Sequence, residues 1–281
     1  MSELDGSVDG APGTDRGSLW IDLLAELTAR RADWLVWKGE YASALDGVGD
    51  VDSVAPGDAW PAIIGTLVDW ARRHGLGPVV VCPHGPGQLH MMALPDRGDL
   101  YFELDVNRRK VFLGSTFFRP PQLLPMTVLD ERGVRCLRPG AAGVLKLVVA
   151  GMRRGARVRW DQIETKGIVE QLRADPVGIE EGAALFGRAS GPLLRGARAV
   201  LDGRWDRPAM LAVEGWCVAR AVREPDAIAW RLRHRWHRHR CPVLRSIFEG
   251  GRQVPASERD AWLAEVASYG GHTVIDMRSG A

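Results

Sequence analysis

Several short runs in the first half of the chain alternate apolar and polar residues, and a period of two is typical of strands that bury one face. The clearest run is Asp-Val-Asp-Ser-Val-Ala at 50–55, which follows a short apolar run at 34–37. Further predicted strands lie at 78–82, 88–94, 100–106, 110–113, 126–129 and 134–137. We expect the turn at 107–109 to pair the strand at 100–106 with the one at 110–113, and 131–133 to close a second hairpin.

Helical periodicity appears twice among these strands and then dominates the rest of the chain. Apolar positions predict a helix over 18–31, and a second helix should begin with Asp58 as its N-cap and end near Gly75. After Pro139 the pattern predicts helices beginning at 144 and then over 160–174, 183–187, 193–201, 208–221 and 226–240. The fold class is therefore α+β, with a mixed sheet followed by a mainly helical C-terminal part.

These patterns divide the chain into three segments. Residues 1–17 are acidic and rich in glycine, which predicts a disordered leader. Residues 18–138 carry the predicted strands and form the expected N-terminal domain, and residues 139–281 form the expected helical C-terminal domain.

Composition limits the classes of protein to consider. The chain is 46% hydrophobic with a net charge of +2, and it has no apolar run near the ~18–20 residues that a membrane span needs. The N-terminus lacks the apolar stretch of a secretory signal, and the four cysteines show no zinc-binding spacing. We therefore expect a cytoplasmic protein without a membrane partner.

Two carboxylates stand out on the strand at 50–55. Asp50 and Asp52 are alternate residues, so their side chains should point to the same face, where a divalent cation would relieve their repulsion. An acid-x-acid pair is also common in surface turns and at hairpin ends. A calcium loop of the EF-hand type is excluded, because the twelfth position counted from Asp50 is Pro61 rather than glutamate.

A third carboxylate lies on another alternating strand. Asp105 would complete a set of three oxygen ligands if the strand at 100–106 lies next to the one at 50–55. Three carboxylates can hold two metal ions, which is the arrangement used for phosphoryl transfer. Glu103 shares the face of Asp105, where it is either an assisting ligand or base or a simple exposed acid.

Short motifs around these acids resemble the signature of the nucleotidyltransferase superfamily that includes DNA polymerase β and the aminoglycoside nucleotidyltransferases. The motifs are Val-Trp-Lys-Gly at 36–39, Ser-Ala-Leu at 43–45 and Gly-Asp-Val-Asp at 49–52, with the third acid fifty-three positions after Asp52. The Lys-Gly form looks closest to a poorly characterised bacterial branch. The resemblance implies a polymerase β-like fold for 18–138.

The resemblance also implies an activity, which is Mg²⁺-dependent transfer of a nucleoside monophosphate from an NTP such as ATP. Asp50, Asp52 and Asp105 would be the catalytic residues and would bind two Mg²⁺ ions, with Mn²⁺ as an alternative. The residues that would hold the donor nucleotide are Lys38, Gly39, Ser43 and Lys146. The acceptor would be a hydroxyl or similar nucleophile of an unknown molecule, with a small molecule favoured.

Two features keep alternative functions open. The Arg- and His-rich segment 231–240, from Arg231 to Arg240, is either a solvated helix face or a nucleic-acid-binding face. A nucleic-acid-binding face would favour a toxin-type nucleotidyltransferase that modifies RNA. Glu40 stands where the family has serine in the phosphate-binding turn, and a carboxylate there would repel phosphate. That substitution favours a catalytically inactive, nucleotidyltransferase-like binding module.

Overall fold

The computed structural model describes residues 16–38, 41–46, 50–85, 87–95, 102–226 and 273–275, with positions 229, 232 and 264. The strands are β1 (Leu35–Val36), β2 (Val51–Val54), β3 (Leu76–Gly85), β4 (Gln88–Pro95), β5 (Phe102–Asn107), β6 (Lys110–Phe112), β7 (Ser115–Phe118), β8 (Thr127–Leu129), β9 (Arg135–Leu137), β10 (Met152–Arg153), β11 (Arg157–Val158) and β12 (Thr273–Ile275). The helices are α1 (Arg16–Arg30), α2 (Ala42–Leu45), α3 (Trp60–Arg73), α4 (Pro120–Leu123), α5 (Pro139–Val149), α6 (Trp160–Thr165), α7 (Ile168–Ala174), α8 (Pro176–Ala184), α9 (Ser190–Leu201) and α10 (Arg207–Ala221).

The α+β class and the mixed sheet are confirmed. Eight strands form one sheet in the order β12-β3-β4-β5-β2-β1-β9-β8. The pairs β2–β5 and β1–β9 are parallel, whereas the other pairs in this sheet are antiparallel. In the described part of the chain, no helix is long and apolar enough to cross a membrane.

Different helices pack against the two faces of the sheet. On one face, Val51 and Leu104 belong to a buried cluster with Leu24 of α1 and Leu67 of α3. On the other face, the core continues without interruption from β1 and β2 into α5 and the helices that follow it, as its buried members Leu35, Val54, Leu145, Leu172 and Val213 illustrate. The sheet and the helices after residue 138 therefore share a hydrophobic core.

Two elements depart from the predicted boundaries of the three segments. α1 begins at Arg16, inside the predicted leader, and the Arg16 guanidinium donates to the carbonyl of Ala44 at 3.2 Å while lying over the ring of Phe102. At the other end of the chain, β12 pairs antiparallel with β3. The sheet thus includes a strand from the segment predicted to be mainly helical.

The predicted pairing of the strand at 110–113 was wrong. β6 does not pair with β5 through 107–109; it pairs with β7 in a separate two-stranded sheet. The reason is a two-residue turn at Leu113 and Gly114, whose φ angles of 50° and 90° are both positive. Such turns fit the twist of a hairpin, so the chain reverses here rather than before β6.

Two predicted helices differ in detail. The segment 160–174 forms two helices, because Gly167 adopts a left-handed conformation with φ of 57° between α6 and α7. Asp58 lies in a short 3-10 turn (Gly57–Ala59) and does not cap α3, which begins at Trp60 with Pro61 in its first turn. α3 ends as predicted, with Gly75 at a positive φ just after it.

Candidate metal centre

The three predicted acids meet on neighbouring strands in the middle of the sheet. β2 and β5 run parallel, and Asp52 lies directly opposite Asp105. Asp50 precedes β2 by one residue and is two positions from Asp52, so it lies towards the same face. One carboxylate oxygen from each of the three residues lies within 4.8 Å of the others. Asp52 and Asp105 are each 4% exposed, and Asp50 is half-buried.

Side-chain hydrogen bonds hold the two strands in this register. The Ser53 hydroxyl donates to the carbonyl of Asp105 at 2.7 Å, and the Asn107 amide donates to the carbonyl of Ser53 at 3.2 Å. A slip of one residue would turn Asp52 to the opposite face of the sheet. The amide of Gln88 on β4 donates to Oδ2 of Asp105 at 3.1 Å and so fixes the orientation of that carboxylate.

The ammonium of Lys38 forms an ion pair with Oδ2 of Asp52. The ring of Trp37, which follows β1, is close to two lysines: its centroid is 5.8 Å from Nζ of Lys38 and 5.5 Å from Nζ of Lys110. A carboxylate cluster that already attracts two ammonium groups has the charge that a hard divalent cation requires. Its oxygen donors are also the ligands that Mg²⁺ prefers, so the residues present fit that ion.

Burial shifts the pKa of both lysines in the same direction. It lowers the pKa of Lys38 to about 8, with Lys110 and Lys166 acting in the same sense and the carboxylates of Asp50 and Asp105 opposing it. Burial also lowers the pKa of Lys110, again against the attraction of Asp105 and Asp50. These ammonium groups therefore give up a proton more readily than lysines in water do.

His90 was assigned no role from the sequence, yet it lies next to Asp105, one of the three acids. It is opposite Asp105 across the antiparallel pair β4–β5, it is 5% exposed, and its Nδ1 is paired with Oδ1 of Asp105. The same nitrogen lies 3.7 Å from Oε1 of Glu103. Burial acts to lower the pKa of His90, but Asp105 and Glu103 outweigh it and raise the pKa to about 9. Burial in turn raises the pKa of Glu103.

The remaining predicted nucleotide-binding residues are placed as follows. Lys146 lies on α5, is 2% exposed, and donates from Nζ to the carbonyl of Lys166 at 2.8 Å. Gly39 and Glu40 lie outside the described residues. Ser43 belongs to α2, but its side chain is outside the described part. The structure therefore places Lys38 beside the acids. Contacts of Gly39, Ser43 and Lys146 with a nucleotide stay predictions.

Proton release should control metal binding here. Lys38 and His90 would compete with a metal ion for oxygens of Asp52 and Asp105, because they pair with these oxygens and have pKa values of about 8 and about 9. Because a deprotonated competitor no longer neutralises the carboxylates, we expect Mg²⁺ affinity to rise about tenfold or more between pH 7 and pH 9. Isothermal titration calorimetry in buffers of different ionisation enthalpy measures both the affinity and the protons released.

Lys38→Met is the informative variant for this prediction. It should bind Mg²⁺ more tightly than the wild type at pH 7 and show a shallower pH dependence, because one competing cation is gone. Affinity that is the same at pH 7 and pH 9 would contradict competition by these two groups.

The segment 231–240 lies outside the described residues except for Leu232, whose side chain is exposed. Just before it, Asp226 forms an ion pair of 2.6 Å with Arg109, which follows β5. The predicted nucleic-acid-binding face on this segment stays a prediction. Comparison of the chain with models of known protein families, with curated proteins and with solved structures gives no match.

Proposed function

We propose that this protein is a Mg²⁺-dependent nucleotidyltransferase that moves a nucleoside monophosphate from an NTP to a hydroxyl or similar nucleophile of an acceptor. One observation carries the proposal: Asp50, Asp52 and Asp105 come from distant parts of the sequence and present ligand oxygens within 4.8 Å of one another. The motifs at 36–39 and 49–52, which resemble the nucleotidyltransferase signature, support the same activity.

The three acids would hold the metal. Bound Mg²⁺, or Mn²⁺ in its place, would lower the pKa of the attacking hydroxyl and stabilise the negative charge that develops on the leaving pyrophosphate. The hydrogen bond from Gln88 to Oδ2 of Asp105 supports this role, because it fixes the orientation of the carboxylate. Asp52 would exchange its present partner, Lys38, for the ion.

Lysine chemistry supports a polyphosphate substrate. The chain has four lysines among its 37 basic residues. Lys38 pairs with Asp52, and Lys110 is attracted by Asp105 and Asp50. Lys166 acts on Lys38, and Lys146 donates to the backbone of Lys166. An ammonium is a compact point charge that can move between a carboxylate and a phosphate. Once the acids are neutralised, Lys38 is free to pair with the NTP, together with the predicted contacts from Gly39 and Ser43.

A small-molecule acceptor is favoured over RNA. The RNA alternative depends on the segment 231–240, whereas the acid cluster and its lysines are sufficient for transfer to any hydroxyl. The inactive-module alternative depends on Glu40 and predicts an intact fold without turnover.

Mass spectrometry tests the proposal and identifies the acceptor. Cell extract is incubated with the protein, Mg²⁺ and each NTP in turn, and we expect an acceptor whose mass increases by one nucleotide residue. The matched reaction contains Asp52→Asn protein and should lack that product. Modified RNA as the product would favour the toxin-type alternative, and the absence of any product with all NTPs would favour the inactive module.

A further inference from the structure

A second set of metal-ligating side chains lies beside the acid triad. His90 on β4 is opposite Asp105 on β5, and Glu103 is two residues before Asp105 on the same strand, so all three point to one face of the sheet. One ligand atom from each lies within 4.8 Å of the others. Their side chains are only 6%, 13% and 5% exposed for His90, Glu103 and Asp105 respectively.

The ligand types at this set differ from those of the triad. The triad offers oxygen only, which suits Mg²⁺, whereas His90 adds an imidazole nitrogen to two carboxylates. Imidazole together with carboxylate is accepted by Mn²⁺, Co²⁺ and Zn²⁺, which bind nitrogen more readily than Mg²⁺ does. A metal ion bound here would displace the proton between His90 and Asp105, and its charge would neutralise the two buried carboxylates around the imidazole.

We propose that His90, Glu103 and Asp105 form a second divalent-cation site that takes a nitrogen-binding transition metal, with Asp105 shared between this site and the acid triad. The strands themselves supply the preorganisation. β4 lies between β3 and β5, so His90 cannot leave its position without breaking pairs on both sides. Gln88 holds Oδ2 of Asp105, which directs Oδ1 of the same carboxylate at the imidazole.

Occupation of this site does not require nucleotidyl transfer, so it can be tested by binding alone. Because Mn²⁺ can also enter the oxygen-only triad, the full-length protein is saturated with Mn²⁺, and electron spin-echo envelope modulation is recorded. A directly bound imidazole nitrogen produces a ¹⁴N modulation, which we expect from the wild type. Calorimetric titration with Co²⁺ gives the affinity in parallel.

Three variants separate the possible results. His90→Gln should lose the ¹⁴N modulation and weaken Co²⁺ binding about tenfold or more, because the nitrogen ligand is gone. Glu103→Gln should weaken Co²⁺ binding by a similar factor while keeping the ¹⁴N modulation at saturating metal. His74→Gln is the matched control, since His74 also pairs with a carboxylate, that of Asp22 at 3.0 Å, but on the surface; it should leave both measurements unchanged.

Different results would contradict the proposed second site and the proposed activity. Asp52→Asn removes a ligand of the triad alone, so it should keep the ¹⁴N modulation even where transfer is lost. Wild-type protein without ¹⁴N modulation, or His90→Gln protein that retains it, would overturn the second site and leave the triad untouched. If His90→Gln does not fold, Glu103→Gln and the wild-type spectrum still decide the question.

Discussion

Replacing Asp52 with asparagine should reduce nucleotidyl transfer by ~10³-fold or more, which corresponds to about 4 kcal/mol of transition-state stabilisation. Asp52 is 4% exposed, lies opposite Asp105 and offers one of the three ligand oxygens that lie within 4.8 Å of one another. The amide keeps the size of the side chain and removes the charge that holds the metal. The rate is measured as pyrophosphate release in a mixed pool of acceptors.

Asp69→Asn is the matched control for this variant. Asp69 undergoes the same chemical change, but it lies on α3, on the opposite face of the sheet, in an exposed pair with Arg72. It should retain wild-type activity. Equal turnover by the Asp52→Asn protein and the wild type would mean that this pair of strands does not hold the catalytic metal.

Asp52→Asn should also lower the stability of the protein. Repulsion among the acids alone would make the Asp52→Asn protein as stable as the wild type or more so. The structure reverses that expectation, because Asp52 is paired with Lys38, whose side chain is 30% exposed. Loss of this ion pair, which solvent reaches through Lys38, should lower the free energy of unfolding by about 1 kcal/mol.

Gly140→Ala should destabilise the protein by about 3 kcal/mol, which is ~10²-fold in the folding equilibrium constant. A Cβ at Gly140, in the first turn of α5, would lie 1.9 Å from the carbonyl oxygen of Asp175 and 2.7 Å from the backbone nitrogen of Ile179. Both atoms are backbone, so α5 and α8 must move apart. Gly182 shows the same close approach, because its Cβ would lie 2.9 Å from Cα of Ala141.

Gly65→Ala provides the control for this substitution. Gly65 is an exposed position inside α3, and a Cβ there would meet nothing within 4 Å. Alanine should therefore stabilise the protein by about 0.5–1 kcal/mol, because the unfolded chain loses conformational freedom. Urea denaturation of both variants measures the difference. A Gly140→Ala protein as stable as the wild type would show that α5 and α8 are not packed backbone to backbone.

The sequence predicted those parts of the fold whose local pattern agrees with their packing. The hairpin of β8 and β9, the strands β2, β4 and β5, and the end of α3 were all predicted from alternation and glycine positions. β7 was missed because Ser-Thr-Phe-Phe at 115–118 is buried on both faces and does not alternate. The turn at Leu113 and Gly114 was missed because a leucine with positive φ gives no sequence signal.

The site was predictable in part. Asp50, Asp52 and Asp105 follow from strand periodicity and motif spacing, but their closeness depends on a parallel pairing of β2 and β5 that no local pattern specifies. His90 had a usable signal: the run Pro-Asp-Arg-Gly-Asp at 95–99 separates the predicted strands 88–94 and 100–106, and a hairpin between these strands would place His90 near Asp105. The ion pair of Lys38 with Asp52 required the three-dimensional arrangement of β1 and β2.

The most direct measurement uses NTPs labelled at different phosphates. The protein is incubated with Mg²⁺, the fraction of cell extract that contains the acceptor, and an NTP carrying ³²P at either the α- or the γ-phosphate. Nucleotidyl transfer at Asp50, Asp52 and Asp105 predicts that α-label enters the acceptor and γ-label leaves as pyrophosphate, with both lost on addition of a chelator. Transfer of γ-label to the acceptor, or labelling that the Asp52→Asn protein performs equally well, would contradict it.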